Sequence, residues 1–364
     1  MRFPFQRDHR RGWVMAVTIF DVAARAGVSK TTVSAVLCDR NGVKKETRER
    51  VLNAIRELNY VPDFNARNFV QQKKNMLGAI TVTSDGLFSD YEFNKETGIY
   101  AQDIINGIVH ELVNSRYGLL IEQYSPGQTN DPVIIRDNRV DGLFIIGARK
   151  LDDPLLEILR TRNIPIVAIG QPSERFDSVL ADNGAGVFLA TEYLLERGYR
   201  RIALVNCAEQ YFSNRDRCLG YEMAMRKHGL QSDPSLVTNS ESNTGEAGYR
   251  ATCGLLDAAG VPEAIIGANA SVTMGVYRCL YERGLRVPQD VSLIGQDDCV
   301  LYGYHTPAVT AIDIHKGETA KRATELMLDN IATGKKGTRQ ILITPTVKSR
   351  ESVFDRTIKM KNNT

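Results

Sequence analysis

No apolar run in these 364 residues approaches the roughly 20 that a membrane helix needs, and the N-terminus lacks the apolar core of a secretory signal. The six cysteines (Cys38, Cys207, Cys218, Cys253, Cys279, Cys299) are scattered, without the close pairs that structural zinc or a redox dithiol requires. They read as reduced, mostly buried thiols, and the chain is expected to be soluble and cytoplasmic. Its five histidines are dispersed. There is no H-E-x-x-H, no G-x-G-x-x-G behind a strand, no P-loop and no nucleophile elbow, so an enzyme on a nucleotide-binding fold is disfavoured. Nothing calls for a cofactor or a metal. The C-terminal tail VFDRTIKMKNNT carries no leucine heptad, which argues against a helical tetramer bundle.

Net charge is also small, +3, but it is unevenly placed. Residues 1–74 hold 15 Lys or Arg against 7 Asp or Glu, whereas the remaining 290 hold 31 against 36. A basic head on a mildly acidic body suits a polyanion-binding domain carried by a soluble regulator, because phosphate contacts and counterion release supply much of the affinity for DNA. Residues 1–14, MRFPFQRDHRRGWV, include the single tryptophan and show no period. They read as a disordered basic tail, and Met15 is an alternative translation start.

The most informative stretch is Thr18 to Leu37, TIFDVAARAGVSKTTVSAVL. Thr18 and Asp21 make a capping box that opens a helix at Ile19. Ala23 and Ala26 are small where a second helix must cross closely, and Gly27 stands where the chain must reverse through a positive φ. Ser29 caps the second helix. Its Val33, Val36 and Leu37 recur three and four apart and turn inward, leaving Lys30, Thr31, Ser34 and Ala35 outward. That arrangement predicts a helix-turn-helix DNA reader. After a polar loop containing Asn41 and Gly42, residues Val51, Ala54, Ile55 and Leu58 give a third amphipathic helix. Arg48, Arg50 and Arg56 lie off its apolar face. Tyr60, Val61 and Pro62 end it, and DFNARNFVQQKKN leads on as a hinge.

Beyond the hinge, the runs LGAITVT, YGLLIEQ, VDGLFIIG, IPIVAIG, RIALVN, AIIGAN and VSLIGQ are short, branched-rich and without alternation, as strands buried on both faces are. Helical stretches lie between them, at 184–198, 215–228, 271–284 and 315–332. Alternating strand and helix predicts parallel sheets wrapped by helices, with ligands binding beyond the strands' C-terminal ends. Roughly 290 residues exceed one such sheet, so two lobes with a cleft between them are expected. The fold class is thus an N-terminal all-α helix-turn-helix head plus an α/β body of two doubly wound parallel-sheet lobes. The boundaries are a tail at 1–14, the DNA-binding domain at 15–61, a hinge helix and linker at 62–75, the body at 76–357 and a tail at 358–364.

The sequence resembles the lactose and galactose repressor family of bacterial transcription regulators from Met15 to about Ser352. The head matches through TIFDVAARAGVSKTTVSAVL, ETRERVLNAIRELNYVP and the hinge residues Ala66 and Arg67. The body matches through RVDGLFIIG, IPIVAIG, DNGAGVFLATEYLLERGYRRIALV, GLRVPQDVSLIGQDD and SRES. The resemblance implies a body like the periplasmic sugar-binding proteins, with the chain crossing between lobes three times. It also implies a homodimer on a near-palindromic operator, a repressor whose hold on DNA is controlled by a small molecule between the lobes, with a sugar as the default ligand and no membrane contact. The alternatives are a sugar-binding protein without DNA function and the nucleotide-fold enzyme.

Carried over by resemblance, Lys30 and Thr31 read base edges in the major groove, while Ser29, Thr32 and Ser34 hold phosphates. Thr18, Ala35, Asn65 and Ala66 complete the DNA set, and Phe69 stands where the family usually wedges a Leu into a minor-groove step. Ala35 occupies a position where many members carry Arg, so the operator sequence is open. Cys38 replaces the usual Asn. Lys44 replaces a Ser cap, at a cost of about 1 kcal/mol. Arg217, Asn269 and Asp297 match the effector-binding residues, but Ala270 follows the Asn where Asp is usual, and Gln296 replaces an aromatic or aliphatic residue. The loop SDGLFSDYEFNKETGIYAQD is longer than typical, and its Phe88, Tyr91, Phe93 and Tyr100 either cover a sugar face or pack on the lobe. Residues 124–138 are shorter than usual, so the helix there is reduced.

Overall fold

The computed structural model describes residues 17–37, 42–60, 74–82, 99–125, 131–147 and 153–357. The expectations on residues 1–14 and 358–364, on Cys38, on Phe88, Tyr91 and Phe93, and on Asn65, Ala66 and Phe69 of the hinge lie outside the described residues. The chain separates into two units, Met1–Asn75 and Met76–Thr364.

The head consists of α1 (Ile19–Ala26), α2 (Lys30–Leu37) and α3 (Lys45–Glu57). Asp21 Oδ2 accepts both the backbone N–H of Thr18 (2.8 Å) and its hydroxyl (2.7 Å), so the start of α1 is fixed by the carboxylate. These bonds hold the Asp21 carboxyl below the usual carboxylate range. At the other end Gly27 takes φ 62°, and the N–H of Val28 returns to the Ala23 carbonyl at 3.1 Å, which satisfies a terminal carbonyl and turns the chain. The core is Val22, Val33 and Val51, all without exposed surface, filled in by Ala23, Ala26, Val36 and Ala54. Lys44 gives α3 no side-chain cap.

The body opens with β1 (Met76–Val82), α4 (Ile99–Leu112), β2 (Gly118–Tyr124), α5 (Val133–Arg136), β3 (Gly142–Ile146), α6 (Asp153–Arg160), β4 (Ile166–Ile169) and β5 (Asp177–Ala181). The chain then enters a second lobe of α7 (Asn183–Glu196), β6 (Ile202–Asn206), α8 (Phe212–Lys227), β7 (Val237–Asn239), α9 (Gly245–Ala259), β8 (Ala264–Gly267), α10 (Ala270–Glu282), β9 (Ser292–Gln296), α11 (Val300–Tyr304) and β10 (Thr310–Asp313). It returns to the first lobe through α12 (Lys316–Thr333) and β11 (Gln340–Ile343), and ends in the second with β12 (Thr346–Lys348). The sheet orders are β11-β5-β4-β3-β1-β2 and β12-β10-β9-β8-β6-β7, and only β12 is antiparallel to its neighbour. The chain therefore crosses between lobes after β5, after β10 and after β11, the three crossings the resemblance implied.

Each strand read from an apolar run is present. The polar or very short strands β5, β7, β10, β11 and β12 were not legible. β2 does not fit the expectation of burial on both faces: it is an edge strand, and its Ile121 is 56 % exposed. The helix between β2 and β3 is a single turn, α5. α12 belongs to the first lobe's core, where Ala320, Ala323 and Met327 pack with Leu77, Ile104 and Phe144. A Cβ on Gly107 of α4 would collide with Ala320, so these two helices need the glycine to dock. Although no cysteines are close in sequence, α9 and α10 bring the sulfurs of Cys253 and Cys279 to 2.8 Å.

Candidate functional site

Lys30 and Thr31 occupy the exposed first turn of α2, while Thr32, Ser34 and Ala35 are half-buried. Ser29 Oγ accepts the N–H of Thr32 at 3.2 Å and lies 2.7 Å from Thr31 Oγ1 and 2.9 Å from Thr32 Oγ1. The three hydroxyls form one chain that fixes the entry of the helix. The Lys30 ammonium stands 4.9 Å over the ring of Phe20, a residue 63 % exposed that sequence reasoning passed over. Its signal was an aromatic side chain outside the Val22, Ala23, Ala26 stripe. The hydroxyl hydrogen of Thr18 is committed to Asp21, so a phosphate contact there would have to displace that bond.

The residues expected to bind an effector stand around the C-terminal ends of β6, β8 and β9, where ligands of doubly wound sheets bind. Arg217, 5 % exposed on α8, donates from Nε to Gln296 Oε1 (2.9 Å) and from its terminal nitrogens to Cys207 Sγ (3.0 Å), Ser213 Oγ (2.8 Å) and Asn183 Oδ1 (2.8 Å). The guanidinium is thus a buried cation held in one orientation, and Gln296 is the part of its cradle that departs from the family pattern.

Asp297 follows β9 with φ 61°, a left-handed conformation that Asp tolerates better than most residues. Its Oδ1 is buried without a hydrogen-bond partner. Burial raises its pKa, opposed by Arg217 and Lys316 and assisted by Asp103. Lys316 and Asp103 form an ion pair of their own at the second crossing. Asn269 caps α10, accepting the Val272 N–H at 2.9 Å, and its backbone carbonyl takes the Thr273 N–H and hydroxyl. One lone pair of the Asn269 amide oxygen is thus used in capping the helix, and among the described residues its Nδ2 makes no hydrogen bond.

From the first lobe, Gly170 at the end of β4 takes φ 83°, and a Cβ there would stand 3.1 Å from the Tyr100 hydroxyl. Tyr100 lies in the first turn of α4, not in a loop, and packs against core residues of both lobes. Burial, with Asp297 adding to it, pushes its hydroxyl pKa up. Gln171, 2 % exposed, follows Gly170 and its Nε2 has no partner. Gln171, Lys316, Asp103, Asn183 and Ser213 carried no pattern that sequence reasoning could have used.

The raised pKa of Asp297 makes a stability prediction. A carboxyl whose folded pKa lies above its unfolded value stabilises the fold at low pH and loses that contribution as pH rises through the folded pKa. As pH rises above the unfolded value, Asp297 therefore opposes folding. Asp297→Asn, which keeps the shape and suits the left-handed backbone, is expected to raise the melting temperature of the unliganded protein at pH 7, and the gain should shrink toward pH 4. Ligand affinity should fall roughly 10- to 100-fold, the worth of one hydrogen bond to a charged group. A variant that melts no higher than the parent and binds ligand equally would contradict both parts.

A helix-turn-helix head joined to a body of two periplasmic-binding-protein-like lobes defines the class of ligand-responsive DNA-binding regulators. Comparison with known proteins agrees. Residues 18–63 match the bacterial regulatory proteins of the lacI family, and residues 191–353 match the periplasmic binding protein-like domain. The HTH-type transcriptional repressor PurR of Haemophilus influenzae (strain PittEE) is 32 % identical over 344 residues, covering 92 % of this chain and 98 % of that protein. Among solved structures, the transcriptional regulator CelR in its cellobiose complex is 26 % identical with a TM-score of 0.66, covering 93 % of this chain and all of that one. The Lac repressor dimer bound to operator and the anti-inducer ONPF shares the fold, with a TM-score of 0.75 at 23 % identity over 93 % of this chain and 99 % of that one. The chain belongs to the lacI family of bacterial regulatory proteins, and it is a DNA-binding transcription regulator. Among the described residues no helix is long and apolar enough to cross a membrane.

Proposed function

We propose that the protein is a dimeric repressor that reads a near-palindromic operator with α2 and lets go of it, or holds it, according to a small polar molecule bound between the lobes. The observation that carries the ligand half is a set of unmet hydrogen bonds. Gln171 Nε2, Gln296 Nε2 and Asp297 Oδ1 are buried without partners, and Asn269 Nδ2 makes no hydrogen bond among the described residues. Buried polar atoms of this kind cost stability unless a partner meets them, which a polar ligand does. Three amide donors and one carboxylate acceptor match a neutral molecule with several hydroxyls, which supports a sugar and accords with the cellobiose held by CelR.

The dimer reading is supported by one face of the second lobe, where Tyr281 (77 % exposed), Val300 (71 %) and Tyr304 (82 %) form an apolar surface on α10 and α11. Tyr277 and His305, with ring centroids 4.6 Å apart, join the two helices there. Ligand binding changes the angle between lobes and hence the spacing at which two heads meet DNA.

The test of the DNA half uses a duplex selected from genomic fragments and fluorescence anisotropy. Lys30→Ala is expected to lower affinity about 5- to 150-fold, the 1–3 kcal/mol of one base-reading contact. Phe69→Ala is expected to weaken binding to the same duplex, and ligand affinity should be unchanged in both variants. Parental affinity in both would sink this reading.

A further inference from the structure

We propose that Cys253 and Cys279 are a peroxide-oxidisable dithiol whose disulfide fastens α9 to α10 in the second lobe. The sulfurs are 2.8 Å apart, inside the roughly 3.5–4.0 Å at which unbonded carbon atoms rest. Closing them to the disulfide length of about 2.05 Å requires a movement of under 1 Å. The neighbourhood is fixed by the backbone. A Cβ on Gly275 of α10 would collide with the Gly245 carbonyl of α9, and one on Gly248 of α9 would stand 2.6 Å from the Val272 carbonyl of α10. Glycines therefore let the two helices touch at their N-terminal ends, and this close approach sets the two cysteines facing each other further along.

The two thiols differ in a way that assigns roles. Cys279 has no exposed surface, and burial together with Cys253 pushes its pKa up to about 12. Cys253 is only partly buried and stands next to the exposed Gly254. The guanidinium of Arg283, itself paired to Asp257 at 2.7 Å, lies close enough to Cys253 to interact with it electrostatically. Reactive cysteines are solvent-reached and stand beside such cations, whereas buried ones wait. Cys253 is thus the attacking group and Cys279 the resolving one.

The step balances. The Cys253 sulfur attacks one oxygen of hydrogen peroxide, the O–O bond breaks, and the departing hydroxide takes the thiol proton to leave as water, giving a sulfenic acid. The Cys279 sulfur then attacks the Cys253 sulfur, the S–S bond forms and the S–O bond breaks. Hydroxide leaves with the Cys279 proton as a second water. Two thiols are oxidised by two electrons in all, and one peroxide is reduced to two waters.

The test treats the full chain with hydrogen peroxide, blocks remaining thiols with N-ethylmaleimide, and analyses a digest by mass spectrometry without reduction. The expected result is one crosslinked peptide joining Cys253 to Cys279, with two fewer blocked thiols per chain and full reversal by dithiothreitol. Cys253→Ser and Cys279→Ser should each remove the crosslink, and Cys279→Ser should leave Cys253 as an over-oxidised acid. The proposal is overturned if the treated parent keeps every thiol available for blocking, if the crosslink joins other cysteines or two chains, or if Cys253 is over-oxidised in the parent without any link.

Discussion

Val33→Asp is expected to abolish preferential DNA binding while the body continues to respond to its ligand. Val33 has no exposed surface and sits among Val22, Ala23, Ala26, Val36, Val51 and Ala54. The core cluster around it is apolar, and Arg25, the described basic residue of α1, is at the surface and paired with Glu57. Burying an unpaired charge carries a penalty of at least several kcal/mol, while a core this small supplies only about 3–5 kcal/mol. The penalty therefore matches or exceeds the whole stability of the head, and α2 loses its platform. Because the body is a separate unit, its ligand-induced rise in melting temperature should match the parent's. Anisotropy titration of a selected duplex should show the variant binding it no better than random DNA, and retention of the parent's preference would contradict the assignment of α2.

Arg217→Ala is the corresponding test of the cleft. The substitution removes the donor to Gln296, Cys207, Ser213 and Asn183 at once. Leaving several buried acceptors unmet costs about 2–4 kcal/mol, which for a body of this size lowers the melting temperature by roughly 5–15 °C. The larger effect is on ligand binding. Asp297 loses the cation that favours its charged form, Gln296 is released, and the response of DNA binding to ligand should disappear. Arg217→Lys keeps the charge but cannot span four acceptors with one ammonium, so it should recover part of the stability and little of the ligand response. Calorimetry and ligand titration on both variants check this, and a parental melting point with parental ligand affinity in Arg217→Ala would refute it.

What was legible in the sequence and what was not divides along the range of the interactions. The head could be read because each of its determinants is local: Thr18 meets Asp21 three residues on, and Gly27 turns the chain where it stands. Buried strands such as β3, with every residue covered, announced themselves as apolar runs. β5, with the sequence DSVLA, did not, because its place is set by β4 and by β11, which pairs with it from Gln340 to Ile343 far along the chain. Arg217, Asn269 and Asp297 came from the family resemblance, not from chemistry visible in any window. Their surroundings, Asn183, Ser213, Gln296 and Gln171, come from separate segments that only the folded sheets bring to one end. For the same reason the cysteine pair was missed: the 26 residues separating Cys253 from Cys279 vanish only when α9 docks on α10.

The coupling of the two ends is tested most directly by one titration. A ligand that raises the melting temperature of the full chain is first identified from a sugar panel, and the affinity for the selected duplex is then measured with and without it. The expected result is a change of about 5- to 150-fold, the usual range of allosteric coupling, in parent but not in Arg217→Ala. A ligand that binds the body tightly yet leaves the affinity for that duplex unchanged, and equal to that for random DNA, would contradict the account.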